Sequence, residues 1–477
     1  MSRALRRDGE VARRRSGWAP TLRAERPRAA WVNYYGAVRD ILSTVVDHIA
    51  PPVTRAGSWW VLVVALVIGA CSDARVAERG LPIDSDSLAS RSFYATQFER
   101  QPSSGELTLL GRALFFDSTL SASGRMACAT CHDPAYAWSG RDARPVQFGG
   151  QALTSPGLRA VPSLTYQQDV APFTQHFYGG EREDGADQGP AGGHDWDGRA
   201  SSLHAQAIAP LLSPFEMGNL DRAKLVSRLR RSPNAPLFRI AFGAHVLGHS
   251  ALAWNGVLAA LEAFQQSPRD FYPYTSKYDA YLRGQTDLTS RELRGLRVFN
   301  DPVRGNCAQC HPSAAAHGAL PQFTDRGFVA LGVPRNPAIS ANADIRYFDL
   351  GLCGPLRADL TSRRDFCGMF RTPSLRNVAR RRVFFHNGLY TDLRDVLRFY
   401  AQRDLHPSLF YPRERDGTVR KFDDLPVELR PNVSFVTPFG RRSDGKPAFT
   451  ESEADDLIAF LSTLTDGYPS RRERVKH

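Results

Sequence analysis

Cys128-Ala-Thr-Cys131-His132 and Cys307-Ala-Gln-Cys310-His311 are the two stretches that decide how this chain is read. Both are C-x-x-C-H, the signature of c-type haem attachment. Thiols at that spacing lie along one helical turn and reach the two vinyl groups of one porphyrin. The next residue then offers its imidazole to the iron. A zinc site would close with four ligands, and neither motif has a second ligand pair nearby. Taken singly, each motif could still be a redox C-x-x-C or a chance match. Ahead of each runs a helical stretch that ends alike, in Leu114-Phe-Phe-Asp117 and in Val298-Phe-Asn-Asp301. A pattern that occurs twice points to two related cytochrome modules.

No second axial ligand stands close to the first motif, because the segment from Asp133 to Gln175 contains neither His nor Met. An iron held by His132 alone keeps an open position where peroxide can bind. A pure electron carrier fills both axial positions.

The chain has seven cysteines. Besides the motif pairs they are Cys71, Cys353 and Cys367. Cys71 follows the apolar run Trp59–Ala70, WWVLVVALVIGA. That run is short of the ~20 residues a spanning helix needs. It has the length of a signal-peptide core, with Arg55 ahead of it. Ile68-Gly-Ala-Cys71 resembles a lipoprotein cleavage site, which would leave Cys71 as the lipid-bearing first residue. An ordinary signal peptide or an uncleaved anchor is the alternative. In an exported protein Cys353 and Cys367 read as a disulfide, closing a loop for roughly 3 kcal/mol in the chain-entropy model. The composition, 42% hydrophobic and 23% charged, suits globular cores and not disorder. The formal charge of +12 is weighted by an arginine-rich N-terminal segment, Met1–Ile49. No basic groove interleaved with aromatics accompanies it, so a nucleic-acid partner is not expected.

The fold expected is mostly α, with two cytochrome c-like haem domains and long irregular connections. Residues 1–70 read as an N-terminal extension and signal peptide, and 71–101 as a linker. Residues 102–285 then form an N-terminal haem domain and 286–467 a C-terminal one. Helical spacing is found at Glu106–Phe116, Ser201–Leu212, Arg222–Arg231, Ala253–Phe264, Ser290–Phe299, Asp392–Tyr400 and Glu451–Leu464. Phe177–His194 reads as a surface loop. The Pro/Tyr/Asp stretch from Ser267 to Gln285 reads as the connection between domains.

Several further pieces, in order around the two haem motifs, carry a resemblance. They are Leu110-Gly-Arg…Leu114-Phe-Phe-Asp117, Trp196-Asp-Gly-Arg-Ala200, Gln206…Pro210…Phe215-Glu-Met-Gly218, Phe323-Thr-Asp325…Leu331-Gly-Val-Pro-Arg-Asn336, Phe370-Arg-Thr-Pro-Ser-Leu-Arg-Asn377 and His386-Asn-Gly…Arg398-Phe-Tyr400. From Gly105 to Leu464 the chain resembles the bacterial dihaem cytochrome c peroxidases and their MauG branch. The resemblance implies a peroxidatic haem in the N-terminal domain, with His132 as proximal ligand, and an electron-transfer haem in the C-terminal domain, with His311. It makes Trp196 the tryptophan between the haems. It places Gln206, Pro210 and Glu216 in the distal pocket, Glu216 as the proton-moving acid/base. It also implies a calcium ion between the domains. The asparagine ligand of that ion falls at Ala160, and its backbone-carbonyl ligands fall at Arg381 and Val383.

Two departures push toward MauG. The distal histidine that blocks the resting peroxidatic haem in conventional members is missing here. Tyr400 stands where those members carry an axial methionine, and a phenolate ligand lowers the potential where methionine raises it. Met369 is the rival ligand. The function expected is hydrogen peroxide reduction with electrons from a small c-type cytochrome or copper protein. One alternative is MauG-like oxidation of side chains on a partner protein, and another is a non-catalytic dihaem electron carrier. The expected location is periplasmic or cell-envelope, with membrane contact only through a lipid anchor at Cys71.

Overall fold

The computed structural model describes residues 91–178, 186–316, 318–440, 442 and 444–469. The N-terminal extension, the apolar run and Cys71 lie outside the described residues, as does part of the loop expected at Phe177–His194. Everything described belongs to one compact unit that begins at Ile83.

Helices and irregular connections make up that unit. In chain order they are α1 (Ser104–Phe115), α2 (Cys128–Cys131), α3 (Leu203–Leu212), α4 (Arg222–Arg231), α5 (Ala235–Phe242), α6 (Ser250–Gln265), α7 (Pro268–Phe271), α8 (Lys277–Leu282), α9 (Ser290–Asn300), α10 (Leu393–Gln402) and α11 (Glu451–Ser462). Among the described residues, paired strands are confined to two antiparallel pairs, β1 (Phe148–Gly149) with β2 (Ser155–Pro156) and β3 (Phe328–Val329) with β4 (Phe370–Arg371). Among the described residues no helix is long and apolar enough to cross a membrane.

Two of the helix pairs share one construction. α1 packs on α6, and α9 packs on α11. Each leading helix opens with a capping box, Ser103 with Glu106 and Thr289 with Glu292, which satisfies end N–H groups reciprocally. Each crosses its partner at a glycine. A Cβ on Gly111 would stand 1.8 Å from the Ala260 carbonyl oxygen, and one on Gly295 2.0 Å from that of Asp456. An aromatic pair lies beside each crossing, Phe115 with Phe264 and Phe299 with Phe460. The first pair seeds a core that includes Leu110, Leu114, Leu258 and Phe271, on which Cys128 and Cys131 pack. The second seeds a core with Val298, Phe323 and Leu457, on which Cys307 and Tyr400 pack.

Several segments hold structure beyond the expectation, and the expected disulfide is present. The stretch expected as a connection, Ser267–Gln285, is built structure: α7 and α8 occupy it, and Phe271 and Tyr278 are buried. Its Ser276 caps α8, and Asp279 holds Arg376 in an ion pair that is 0% exposed on both sides. α5 was not anticipated, since Pro236 and a short span hide its period. At the end of the expected linker 71–101, Phe93 and Phe98 pack against the first core. A disulfide joins Cys353 to Cys367, with Cα atoms 5.0 Å apart.

The glycine crossings give a stability test. Gly295→Ala should cost about 1–2 kcal/mol, an overpacking loss of about 1–3 kcal/mol partly offset by helix propensity. Gly105→Ala, where a Cβ meets nothing within 4 Å, should be neutral or stabilising. Denaturant unfolding of both variants measures this, and a Gly295→Ala protein as stable as wild type would contradict the close crossing.

Candidate functional site

Both C-x-x-C-H segments present their histidine in the same way. The His132 N–H donates to the Cys128 carbonyl at 2.9 Å, and the His311 N–H donates to that of Cys307 at 2.8 Å. Each ring is then fixed through Nδ1, which donates to the Trp138 carbonyl at 3.0 Å and to the Phe323 carbonyl at 2.8 Å. Fixing Nδ1 as donor leaves Nε2 as the free ligand nitrogen. Desolvation pulls both imidazoles down to about pKa 4, so they are neutral near pH 7. Trp138 and Phe323, which supply the two carbonyls, both have φ of 54°. Bulky side chains rarely adopt that left-handed conformation, and such strain gathers at functional sites. Desolvation pushes the four motif thiols up to about 12.

On the first site converge α3 and the turn after it. Gln206 and Pro210 lie one turn apart on α3, and the Pro210 carbonyl accepts the Met217 N–H at 3.1 Å. That turn fixes Glu216, whose own carbonyl accepts the Gly150 N–H at 2.8 Å. The Oε2 of Glu216 is buried and has no hydrogen-bond partner among the described residues. Its carboxyl is raised to about 7, first by desolvation and then by the charge of Asp195, with Arg199 opposing. Glu216 lies close enough to Cys128 and Cys131 to act on the charge of both. Gln206 Nε2 donates to Asp195 Oδ1 at 3.1 Å, and Arg199 pairs with Oδ2 at 3.0 Å. Asp195 and Arg199 thus join the site although neither was singled out from the sequence. Their role rests on long-range contacts, and the only local signal was Arg199 inside the quoted Trp196–Ala200 piece.

The second site is a cavity of about 740 Å³. Cys307, Cys310, His311 and Tyr400 line it, together with Trp196 and Arg381. Tyr400 stacks on Phe439, ring centroids 5.0 Å apart. Desolvation and the charges of Cys310 and Cys307 raise its pKa above the ordinary phenol value. A phenolate there at neutral pH therefore needs a cation on its oxygen. Met369 does not line this cavity; it packs with Leu352, Leu360 and Phe366.

Trp196 connects the two places. Its indole Nε1 donates to the Ala160 carbonyl at 2.8 Å, and its own carbonyl accepts the Arg371 N–H at 2.9 Å. Its side chain lines the second cavity, while the side chain of Asp195, next in the chain, reaches Gln206 at the first site.

The donor sets fit haem. Each site offers two thiols, a neutral imidazole with Nε2 free, and in the second case a cavity within the about 300–1,000 Å³ of small-molecule sites. Calcium takes six to eight oxygens, and the asparagine oxygen expected for it falls at Ala160. Ala160 has no side-chain oxygen, and its carbonyl is engaged by Trp196. Among the described residues no group of three or more His, Cys, Asp or Glu could hold a metal ion.

Similarity to known proteins points the same way. The family model for di-haem cytochrome c peroxidase matches residues 105–287. Methylamine utilization protein MauG of Paracoccus denitrificans is 32% identical over 78% of this chain and 91% of its own length. Cytochrome c551 peroxidase of Nitrosomonas europaea is 26% identical over 60% of this chain and 70% of its own. The solved structure of the diheme peroxidase BthA from Burkholderia thailandensis superposes with a TM-score of 0.67 at 35% identity, covering 80% of this chain and 91% of that one.

Tyr400→Phe keeps the ring on Phe439 and removes only the oxygen. The absorption and EPR features of the second haem should change while thermal stability falls by less than about 1.5 kcal/mol, as for near-isosteric core swaps. Unchanged spectra would mean that Tyr400 is not a ligand.

Proposed function

This chain belongs to the dihaem cytochrome c peroxidase and MauG family and is an oxidoreductase; on that premise we propose that it reduces hydrogen peroxide at the His132 site. The observation that carries the reading is Glu216, a desolvated carboxyl with a free oxygen beside the first haem motif. Haem, when bound through Cys128 and Cys131 and through Cys307 and Cys310, supplies the iron that peroxide binds and the path by which electrons reach it.

The chain's own residues do the rest. Peroxide takes two electrons and two protons and leaves as two waters. Glu216, poised near pKa 7, accepts the proton of the inner peroxide oxygen and returns it to the outer one, so that water departs. Gln206 holds Asp195 by a 3.1 Å hydrogen bond. That keeps a negative charge near Glu216 and sustains its raised pKa. Pro210 sets the turn that aims Glu216. Electrons from a small c-type cytochrome or copper protein enter at the second site and pass Trp196, which bridges the two places along the chain. The two repeated helix pairs are read as the cores of two haem domains. We place the protein in the periplasm or cell envelope, anchored through Cys71, because haem attachment of this type follows export and a disulfide suits an oxidising compartment.

A second reading, oxidation of side chains on a partner protein as in MauG, draws support from Tyr400. Its phenol favours the ferric state of the second haem and suits an enzyme that stores oxidising equivalents. The third, a non-catalytic electron carrier, leaves the free carboxyl of Glu216 without a use.

Glu216→Gln should lower peroxide turnover roughly 100-fold or more while both haem spectra persist. In the wild type kcat/KM should rise as pH passes about 7, because the ionised carboxylate is the form that accepts the first proton. Steady-state peroxide assays across pH measure both. Turnover that is unchanged in Glu216→Gln would remove Glu216 from the mechanism.

A further inference from the structure

Among the described residues, Arg381 is a cation in the cavity wall that forms no ion pair. It follows the short turn Val378–Arg380 and lines the same space as Cys307, Cys310, His311 and Tyr400. Its Nη2 donates to the Ser374 carbonyl at 2.6 Å. Its buried Nε has no partner among the described residues. An arginine does not shed its proton in a protein, so the charge stays and requires an anion.

The carboxylates that line this cavity are engaged elsewhere. Asp349 pairs with Arg159 at 2.6 Å, Asp424 with Arg335 at 3.0 Å, Asp195 with Arg199 at 3.0 Å and Asp187 with His176 at 2.6 Å. Asp325 accepts the Gly327 N–H at 2.8 Å. Arg371, in the same wall, is satisfied by the Gly193 carbonyl and Gln167 Oε1. Among the described residues, Arg381 keeps a buried Nε–H free on this wall, and guanidinium N–H groups match a carboxylate.

We propose that Arg381 binds a propionate carboxylate of the haem in this cavity and thereby fixes the charge beside the second iron. The inference rests on the reading that haem occupies the cavity, which a pyridine haemochrome count of two haems per chain checks separately. With the carboxylate held by the guanidinium, that propionate stays ionised through neutral pH. Arg381→Met would leave it desolvated and unpaired, and its pKa would rise into the neutral range.

Spectroelectrochemical titration of the second haem at pH 6 and pH 8 tests the pairing. The wild-type potential should be flat between them. In Arg381→Met it should stay near the wild-type value at pH 6, where the propionate is protonated and the lost charges cancel. It should fall at pH 8, where the unpaired carboxylate stabilises ferric iron. Arg381→Lys should restore the flat profile, and Arg380→Met, which removes an exposed charge one residue away, should leave it untouched. A flat, unshifted profile in Arg381→Met with two haems bound would overturn the assignment. If Arg381→Met does not mature, the wild type decides. A potential that follows pH by one proton per electron would overturn the pairing, and a flat one would sustain it.

Discussion

Two desolvated imidazoles, each tied through Nδ1 to a carbonyl in the following loop, are the constraint on which the rest of this structure depends. A histidine so placed cannot turn or take up a second proton, and its Nε2 remains free for a metal. The carbonyls come from Trp138 and Phe323, both held at a backbone angle such side chains avoid. Burial of those aromatics in the cores seeded at the glycine crossings opposes that strain. Trp138 packs on Phe271 at 4.4 Å, and Phe323 meets Tyr278 at 5.5 Å. The helix pairs therefore do more than enclose the sites. They hold the one residue in each loop that orients the ligand.

From this common base the two sites diverge through the residues brought from afar. Among the described residues, the first receives a carboxyl with one oxygen unpartnered, and the second a phenol and a guanidinium whose Nε is unpartnered. A carboxyl near pKa 7 is suited to moving protons, and a phenol beside a fixed positive charge is suited to tuning an iron potential. In the proposed function this separates proton chemistry from electron supply; Asp195 at the first site and Trp196 at the second are adjacent in the chain. Around that joint, Arg159 is held between Asp197 and Asp349 at 2.7 and 2.6 Å. Removing either carboxylate from so enclosed a network would cost several kcal/mol, about 3–5 for a broken buried pair.

What could be read from the sequence was what is local. The haem motifs are fixed by spacing within one turn, and the long helices by their apolar period, so α1, α3, α4, α9, α10 and α11 fall within a few residues of expectation. Glu216, Gln206 and Pro210 were legible only because a family pattern names them; spacing alone does not reveal a turn that aims a carboxyl back at a cysteine pair. Ser267–Gln285 was read as a connection without its short helices, because Phe271 and Tyr278 are buried in different cores and Asp279 pairs with Arg376, contacts far away in sequence. Arg381 was noticed only for its backbone carbonyl. Its side chain matters because of which carboxylates nearby are already taken, and that is a property of the folded chain.

EPR of the oxidised protein before and after one equivalent of hydrogen peroxide tests most directly whether an open first haem stands beside a closed second one. The expected result is a high-spin ferric signal beside a low-spin one, with the high-spin signal lost on peroxide addition. Two low-spin haems indifferent to peroxide, even after partial reduction, would contradict it and leave an electron carrier.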